Sequence, residues 1–202
     1  MAFYNREYDH STFSYYLGGD PKAAFKIFAA GYRSAAEQLT ESLLGRSHFP
    51  GFEAYPVIFL YCHALELSLK HAIYKAVEFA GYTGSSEIED RLCNVHELDR
   101  LAGTLSRSVE LLFPGDTFIR NLLERINATS HELNEIDITS FRYPIDRNGM
   151  PTLEPNKSVN LRDFAADMSS LLEDIDTLNF GLDTQTYIAQ EVFTECVLGG
   201  LA

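Results

Sequence analysis

One apolar stretch constrains the fold more than any other part of the chain. It runs from Pro56 to Gly81 and has the sequence PVIFLYCHALELSLKHAIYKAVEFAG. Proline at the first position and glycine just past the end are typical of a single helix. Because the stretch is apolar on almost every side, it predicts a helix at the centre of a bundle and not one at the surface.

Four other segments have apolar residues at helical spacing, and together with the central one they predict five helices. Helix starts are indicated by capping residues or proline, at Asp20-Pro21, Asn94, Asp116 and Asn160. Helix ends are indicated by glycine or proline, at Gly45, Pro114-Gly115 and Gly181. The predicted fold is an all-α antiparallel helical bundle with a short hairpin-like insertion before the last core helix.

The length of 202 residues, with 46% hydrophobic residues, is enough for one domain with a core. Residues 1–19 are predicted to form an N-terminal arm, 20–181 the bundle, and 182–202 a C-terminal helix or arm. Residues 137–156 change character, because prolines and a turn signal at 146–149 exclude a helix there. We expect a short β-hairpin or an ordered loop over the bundle.

The chain is strongly acidic, with a net charge of −13. Affinity for phosphates comes mainly from lysine and arginine, so a general binder of polyanions is not expected. A local basic patch remains open, as does the neutralisation of a basic partner protein by this acidic chain.

The cysteines and the hydropathy pattern indicate a cytoplasmic protein. Cys62, Cys93 and Cys196 are odd in number and far apart, which argues against a disulfide framework or a zinc site. The N-terminus has no apolar core of signal-peptide length, and no run of about 18 apolar residues occurs that would cross a membrane. No cofactor, metal or membrane contact is predicted.

Ionisable residues on and after the central helix are the first candidate site. Glu66 and Lys70 are four residues apart, which suits either a ligand-positioning charge pair or a structural ion pair. His63 and His71 with Glu66 could line a metal site, although their spacing is not that of a helical ligand pair. His96, placed at the second position of the third helix, could bind a ligand, pack against the first turn or bond a neighbouring loop.

Arg125 and His131 on the fourth helix are the candidate catalytic residues. Arginine can hold a phosphate bidentately, and histidine can act as general acid or base near neutral pH. Together they suffice for metal-free RNA cleavage in which the 2′-hydroxyl is the nucleophile. Six residues at about 100° each separate the two side chains by about 120° around an ideal helix, so they do not share one face, although long side chains can still converge on a groove between helices or at a dimer seam.

Arg142 and Tyr143 open the insertion and are the last candidates. An arginine beside an aromatic ring can grip a phosphate or stack on a base. The structural alternative is that Phe141 and Tyr143 anchor the loop to the bundle while Arg142 pairs with one of the many acidic residues.

The order of these motifs resembles the HEPN domain, the higher eukaryotes and prokaryotes nucleotide-binding family. In that family a helix with E-x-x-x-K precedes one beginning H-x-L-x-x-L, as in Glu66-Leu-Ser-Leu-Lys70 and His96-Glu-Leu98-Asp-Arg-Leu101. The stretch FRYPIDRNG at 141–149 is similar to one in small prokaryotic HEPN-like proteins. The resemblance covers residues 20–180.

This resemblance implies a helical bundle that dimerises and, in many members, a metal-independent endoribonuclease. The family's catalytic motif is Arg, four to six residues, then His, and Arg125 and His131 match it with five residues between them. The chain departs from the pattern at Ile126, where active members usually have a polar residue. Glu66, Lys70 and His96 match recurrent family positions with a mainly structural role.

Three hypotheses follow from the sequence. The first is a non-catalytic HEPN-like binding and dimerisation protein of a prokaryotic defence, toxin–antitoxin or regulatory system, favoured by the acidic charge and by Ile126. The second is a HEPN endoribonuclease that uses Arg125 and His131 at a dimer interface. The third is a metal-dependent enzyme built on His63, Glu66 and His71. The expected partners are a second copy, RNA or a nucleotide, or a partner protein.

Overall fold

The computed structural model describes most of the predicted bundle. It covers residues 21–48, 51–83, 94–134, 141, 143, 145, 148–152 and 158–199, with the side chains of 21–23, 83 and 196–199 excepted. The predicted N-terminal arm at 1–19 lies outside the described residues.

Five α-helices make up most of the described part of the chain, which confirms the predicted all-α bundle. A 3-10 turn at Gly51–Glu53 precedes the second of them. The helices are α1 (Pro21–Leu44), α2 (Ala54–Thr83), α3 (Leu98–Leu112), α4 (Thr117–Asn134) and α5 (Leu161–Gly199).

Helix α2 is the centre of the bundle, as its apolar sequence predicts. It packs against α1, α5 and α3, and α4 in turn packs against α3 and α5. Its side chains Tyr61, Leu65, Leu69 and Ile73 are at most 1% exposed. Burial also raises the pKa of the Cys62 thiol to about 12, so this cysteine stays protonated and unreactive at neutral pH.

The contacts between helices give their directions. Helices α1 and α2 form an antiparallel hairpin, in which Tyr32 contacts His63 and the earlier Phe25 contacts the later Tyr74. Helices α3 and α4 form a second antiparallel hairpin. The amide of Asn127 on α4 donates a hydrogen bond of 3.0 Å to Ser106 Oγ on α3, and the later His131 lies 3.5 Å from the earlier Asp99.

Helix α5 runs in the same direction as α2. The Tyr61 hydroxyl lies 3.0 Å from Ser169 Oγ, and farther along both helices Lys75 Nζ lies 3.0 Å from Asp183 Oδ1. Later residues of α2 therefore contact later residues of α5, so the two helices are parallel. The contacts place α5 beside most of the length of α2.

Two of the predicted helix starts are confirmed by hydrogen bonds. The Asp116 carboxylate accepts the backbone N–H of Ile119 at 3.0 Å and caps α4. Gly115 directly before it has φ +81°, a left-handed conformation that glycine adopts without strain. The side-chain oxygen of Asn160 accepts the N–H of Arg162 at 3.2 Å and caps α5.

The predicted start of α3 is wrong by three residues. The helix begins at Leu98, and its cap is Glu97, whose side chain makes no capping hydrogen bond. Asn94 therefore does not cap it, and His96 precedes the helix instead of occupying its second position. A buried Val95 and a tertiary contact of His96 hold this segment outside the helix and outweigh the local capping pattern.

The predicted end of α5 near Gly181 is also wrong, because the helix continues to Gly199. Gly181 is exposed, and a single exposed glycine weakens a helix by only about 1 kcal/mol relative to alanine. Beyond it, Leu182 is completely buried and Phe193 contacts Tyr82 of α2. Residues 182–199 are thus a continuation of the last core helix.

The described residues of the insertion contain one antiparallel β-bridge, between Ile145 and Pro151. Gly149 supplies the turn with φ +79°, and Thr152 Oγ1 donates a 2.6 Å hydrogen bond to the carbonyl of Tyr143. These contacts agree with the predicted hairpin-like insertion.

Within the described residues, no helix combines the length and the apolar character needed to cross a bilayer.

Candidate functional site

The side chain of Glu66 on α2 is the centre of a charged cluster. Its Oε1 accepts hydrogen bonds from Lys70 Nζ at 2.7 Å and from His96 Nδ1 at 3.0 Å. Its Oε2 faces His63 Nδ1 at 3.5 Å. An ionised carboxylate only accepts hydrogen bonds, so His96 carries its proton on Nδ1 in this contact. The cluster therefore joins α2 to the segment that enters α3.

Burial differs strongly across this cluster. The Lys70 side chain is only 3% exposed and that of Glu66 11%, whereas the His96 side chain is 71% exposed. The ion pair thus forms the buried base of the site, and the His96 ring covers it from the solvent side.

The electrostatics of Glu66 follow from these contacts. Burial alone would raise its pKa, but hydrogen bonds from His63, Lys70 and His96 and the charge of Lys70 lower it to about 2. Glu66 is therefore ionised at all physiological pH values. A carboxylate with this pKa is a poor general base near pH 7, so the geometry suits a positioning role.

Aromatic rings hold the His63 side chain in place. Its ring packs edge-on against Tyr32 of α1 with 4.5 Å between centroids, and stacks on Phe59 of α2 at 5.6 Å. His63 therefore connects α1 to the Glu66 cluster.

Lowering the pH is expected to weaken the fold through Glu66. Its pKa falls from the ordinary 4.5 to about 2 in the folded chain, so between these values the unfolded chain binds more protons. The stabilisation that ionised Glu66 provides is fully present above the unfolded-state pKa of 4.5. It is lost as the pH falls through the folded-state pKa of about 2. The difference in unfolding free energy between wild type and Glu66→Gln should shrink across this window. Urea unfolding at a series of pH values measures it.

The control for this experiment is Glu41→Gln, which alters an exposed glutamate on α1. Its difference from wild type should vary little over the same window. A Glu66→Gln difference that stays constant from about pH 5 to about pH 2.5 would contradict the assigned linkage.

Arg125 points from α4 towards α5. One nitrogen of its guanidinium forms a close ion pair with Asp174, and another donates a 3.3 Å hydrogen bond to Ser170 Oγ. The side chain is 44% exposed, so it lies at the surface of the groove between α4 and α5.

His131 points in a different direction, towards α3. Its Nδ1 lies 3.5 Å from Asp99 Oδ2, and its side chain is 73% exposed. The structure therefore does not bring Arg125 and His131 to a common point within one chain. Their contacts on different helices agree with the separation that helical geometry predicts for residues six apart.

The residue after Arg125 belongs to the core. Ile126 is completely buried, in the same hydrophobic cluster as Leu122 and Leu123. Asn127 is exposed, and its amide donates to Ser106 Oγ and to the carbonyl of Leu123 at 2.8 Å. The polar side chain that HEPN ribonucleases carry next to the arginine would therefore point into the core of this chain.

The insertion candidates can be described only in part. Arg142 lies outside the described residues. Tyr143 is exposed, while Phe141 packs against the core and lies 6.5 Å from Tyr55 between ring centroids. Phe141 thus anchors this part of the insertion to the bundle, and Tyr143 faces solvent.

The two histidines of the metal hypothesis lie eight residues apart on α2 and have different neighbours. His63 contacts Glu66, whereas buried His71 acts electrostatically on Asp183 of α5. Partial burial would raise the pKa of Asp183, but Lys75, Lys26 and His71 lower it. Within the described part of the chain, no three His, Cys, Asp or Glu side chains are arranged to hold a metal ion.

The C-terminal half of α5 carries an exposed apolar row that the sequence patterns did not indicate. In the sequence, Tyr187, Ile188, Val192 and Phe193 form one weak helical stripe. In the structure all four are exposed, together with Phe180, and the Phe193 ring also contacts Tyr82 of α2. The seven-residue spacing of Phe180 and Tyr187 is the signal that could have separated this row from the core stripe.

Comparisons of this chain with protein-family models, with curated proteins and with solved structures gave no match. The HEPN resemblance therefore stays a prediction from the motifs.

Proposed function

We propose that the protein is a non-catalytic, HEPN-like binding and dimerisation protein of a prokaryotic defence, toxin–antitoxin or regulatory system. The observation that carries this proposal is the separation of the two candidate catalytic residues. Arg125 binds Asp174 and Ser170 on α5, while His131 faces Asp99 on α3. A phosphate held by Arg125 would lie away from the imidazole that must transfer protons.

Two further features favour a non-catalytic role. Asp174 already neutralises the guanidinium of Arg125, so a phosphate would have to displace a carboxylate to reach it. The Glu66 cluster is built to hold the entrance of α3 in place, since its carboxylate is ionised and its lysine is buried.

Incubation of the purified protein with mixed RNA in EDTA tests this proposal. We expect no cleavage by wild type, by His131→Ala or by the control His48→Ala, which alters an exposed histidine after α1. Analytical ultracentrifugation of the wild-type protein should show a defined dimer. A monomer at all concentrations would contradict the dimerisation part of the proposal.

A metal-independent endoribonuclease is the second candidate, and the exposure of both residues favours it. The Arg125 and His131 side chains are 44% and 73% exposed, so residues of two chains could be combined at an interface. Cleavage by wild type and by His48→Ala, but not by His131→Ala, would replace the first proposal with this one.

A further inference from the structure

The outer surface of α5 near its C-terminus exposes apolar side chains. Phe180 is 72% exposed, and Tyr187, Ile188 and Val192 are each about half exposed or more. On an ideal helix Phe180 and Tyr187 lie within about 20° of each other, whereas buried Leu182 lies about 200° from Phe180. The exposed row therefore faces away from the bundle. We call it the outer α5 face, defined by Phe180, Tyr187, Ile188, Glu191, Val192 and Glu195.

Acidic residues on α5 divide into two groups. The helix contains eight acidic residues and one basic residue, Arg162, and so accounts for more than half of the net charge of −13. Four of the acidic residues, at 173, 174, 176 and 183, pair with arginine or lysine side chains of other helices. Of the other four, Asp163 and Asp167 lie near the start of the helix, whereas Glu191 and Glu195, which form no ion pair with any described residue, belong to the outer α5 face.

These two glutamates line a surface concavity. It has a volume of about 360 Å³ and is lined by Tyr187, Gln190, Glu191, Thr194 and Glu195. The Tyr187 hydroxyl donates a 2.6 Å hydrogen bond to Glu191 Oε1, which raises the pKa of Tyr187. The negative end of the helix dipole is close by, and the last turn contains no basic residue to balance it. A cationic side chain would complement all of these groups.

We propose that the outer α5 face is a docking surface for a basic amphipathic helix of a partner protein. Its apolar residues take the apolar side of the partner helix, and Glu191 and Glu195 receive its lysine or arginine side chains. This inference rests on the proposed binding function and names the class of partner. A second copy of this chain does not fit the face as well, because it would bring Glu191 and Glu195 against another acidic surface.

Two designed peptides test the docking surface. Both are amphipathic helices with the same leucine face and one tryptophan, and they differ only in having lysine or glutamate on the polar face. The protein contains no tryptophan, so peptide fluorescence reports binding without background. We expect the lysine peptide to bind wild type with an affinity that falls as salt is added, and the glutamate peptide not to bind.

Variants locate the binding. The triple variant Phe180→Ser, Ile188→Ser and Val192→Ser should weaken binding of the lysine peptide by about tenfold or more, because apolar anchors dominate such interfaces. Glu191→Gln with Glu195→Gln should weaken it less but reduce its salt dependence. The control pair Glu110→Gln with Leu111→Ser changes an exposed acidic and an exposed apolar residue on α3, and should leave binding unchanged.

Three outcomes would overturn the inference. The first is that the lysine peptide binds wild type and both α5 variants equally well. The second is that this peptide does not bind wild type. The third is that the triple variant changes only the oligomeric state, from dimer to monomer. The last outcome would assign the face to a second copy. None of them bears on RNA cleavage, so failure here is distinguishable from failure of the proposed non-catalytic function.

Discussion

Replacing Lys70 with methionine should lower the free energy of unfolding by about 3 kcal/mol, because the change leaves the Glu66 carboxylate buried without its main partner. Lys70 is 3% exposed and its ammonium lies 2.7 Å from Glu66 Oε1. Breaking a buried pair costs about 3–5 kcal/mol, and the lower end applies here because His96 still donates to the same oxygen. Urea unfolding at pH 7 measures the change.

Two further variants show whether the loss comes from the unpaired charge. Lys75→Met makes the same substitution on the same helix, in a more exposed pair with Asp183, and should cost at most about 1 kcal/mol. Glu66→Leu combined with Lys70→Met removes both charges and should recover most of the loss. A Lys70→Met protein as stable as wild type would show that the pair is not energetically coupled to the fold.

Replacing Ile126 with asparagine should destabilise the protein by about 3–5 kcal/mol and should not create a ribonuclease. The substitution removes a completely buried aliphatic side chain and places an amide in the apolar core. This change introduces the polar residue that active HEPN proteins usually carry after the catalytic arginine, at a position that here points inwards. Urea unfolding and RNA cleavage in EDTA, on the same preparation, measure both effects.

Ile126→Val is the conservative control and should cost about 1 kcal/mol. Asn127→Ala, at the exposed next position, should cost a similar amount because it removes the hydrogen bonds to Ser106 and Leu123. An Ile126→Asn protein that keeps wild-type stability and gains RNA cleavage would overturn both the packing argument and the non-catalytic proposal.

Local patterns predicted the helices well where a single chain segment contains the whole signal. The Asp116 and Asn160 caps and the apolar central helix are such cases, because their hydrogen bonds and buried faces are determined within a few residues. The two boundary errors have the opposite origin. At the start of α3, the contact of His96 with Glu66 of α2 outweighs the capping pattern at Asn94. At the end of α5, the contact of Phe193 with Tyr82 of α2 outweighs the stop signal at Gly181.

The candidate site shows the same division. The four-residue spacing of Glu66 and Lys70 predicted their ion pair, and the six-residue spacing of Arg125 and His131 predicted their divergence. No local pattern indicated that His96, thirty residues after Glu66, would share its carboxylate. Nor did any indicate that Asp174 and Asp99 would be the separate partners of Arg125 and His131.

The sequence by itself determined the all-α architecture, the central position of α2 and the strongly acidic character of the chain. These properties depend on composition and on helical periodicity, which act over a few turns. The tertiary structure alone decided which ionisable groups pair and which acidic and apolar side chains of α5 remain exposed. Those outcomes depend on how helices distant in sequence pack together, since a side chain's partner and burial are properties of the assembled bundle.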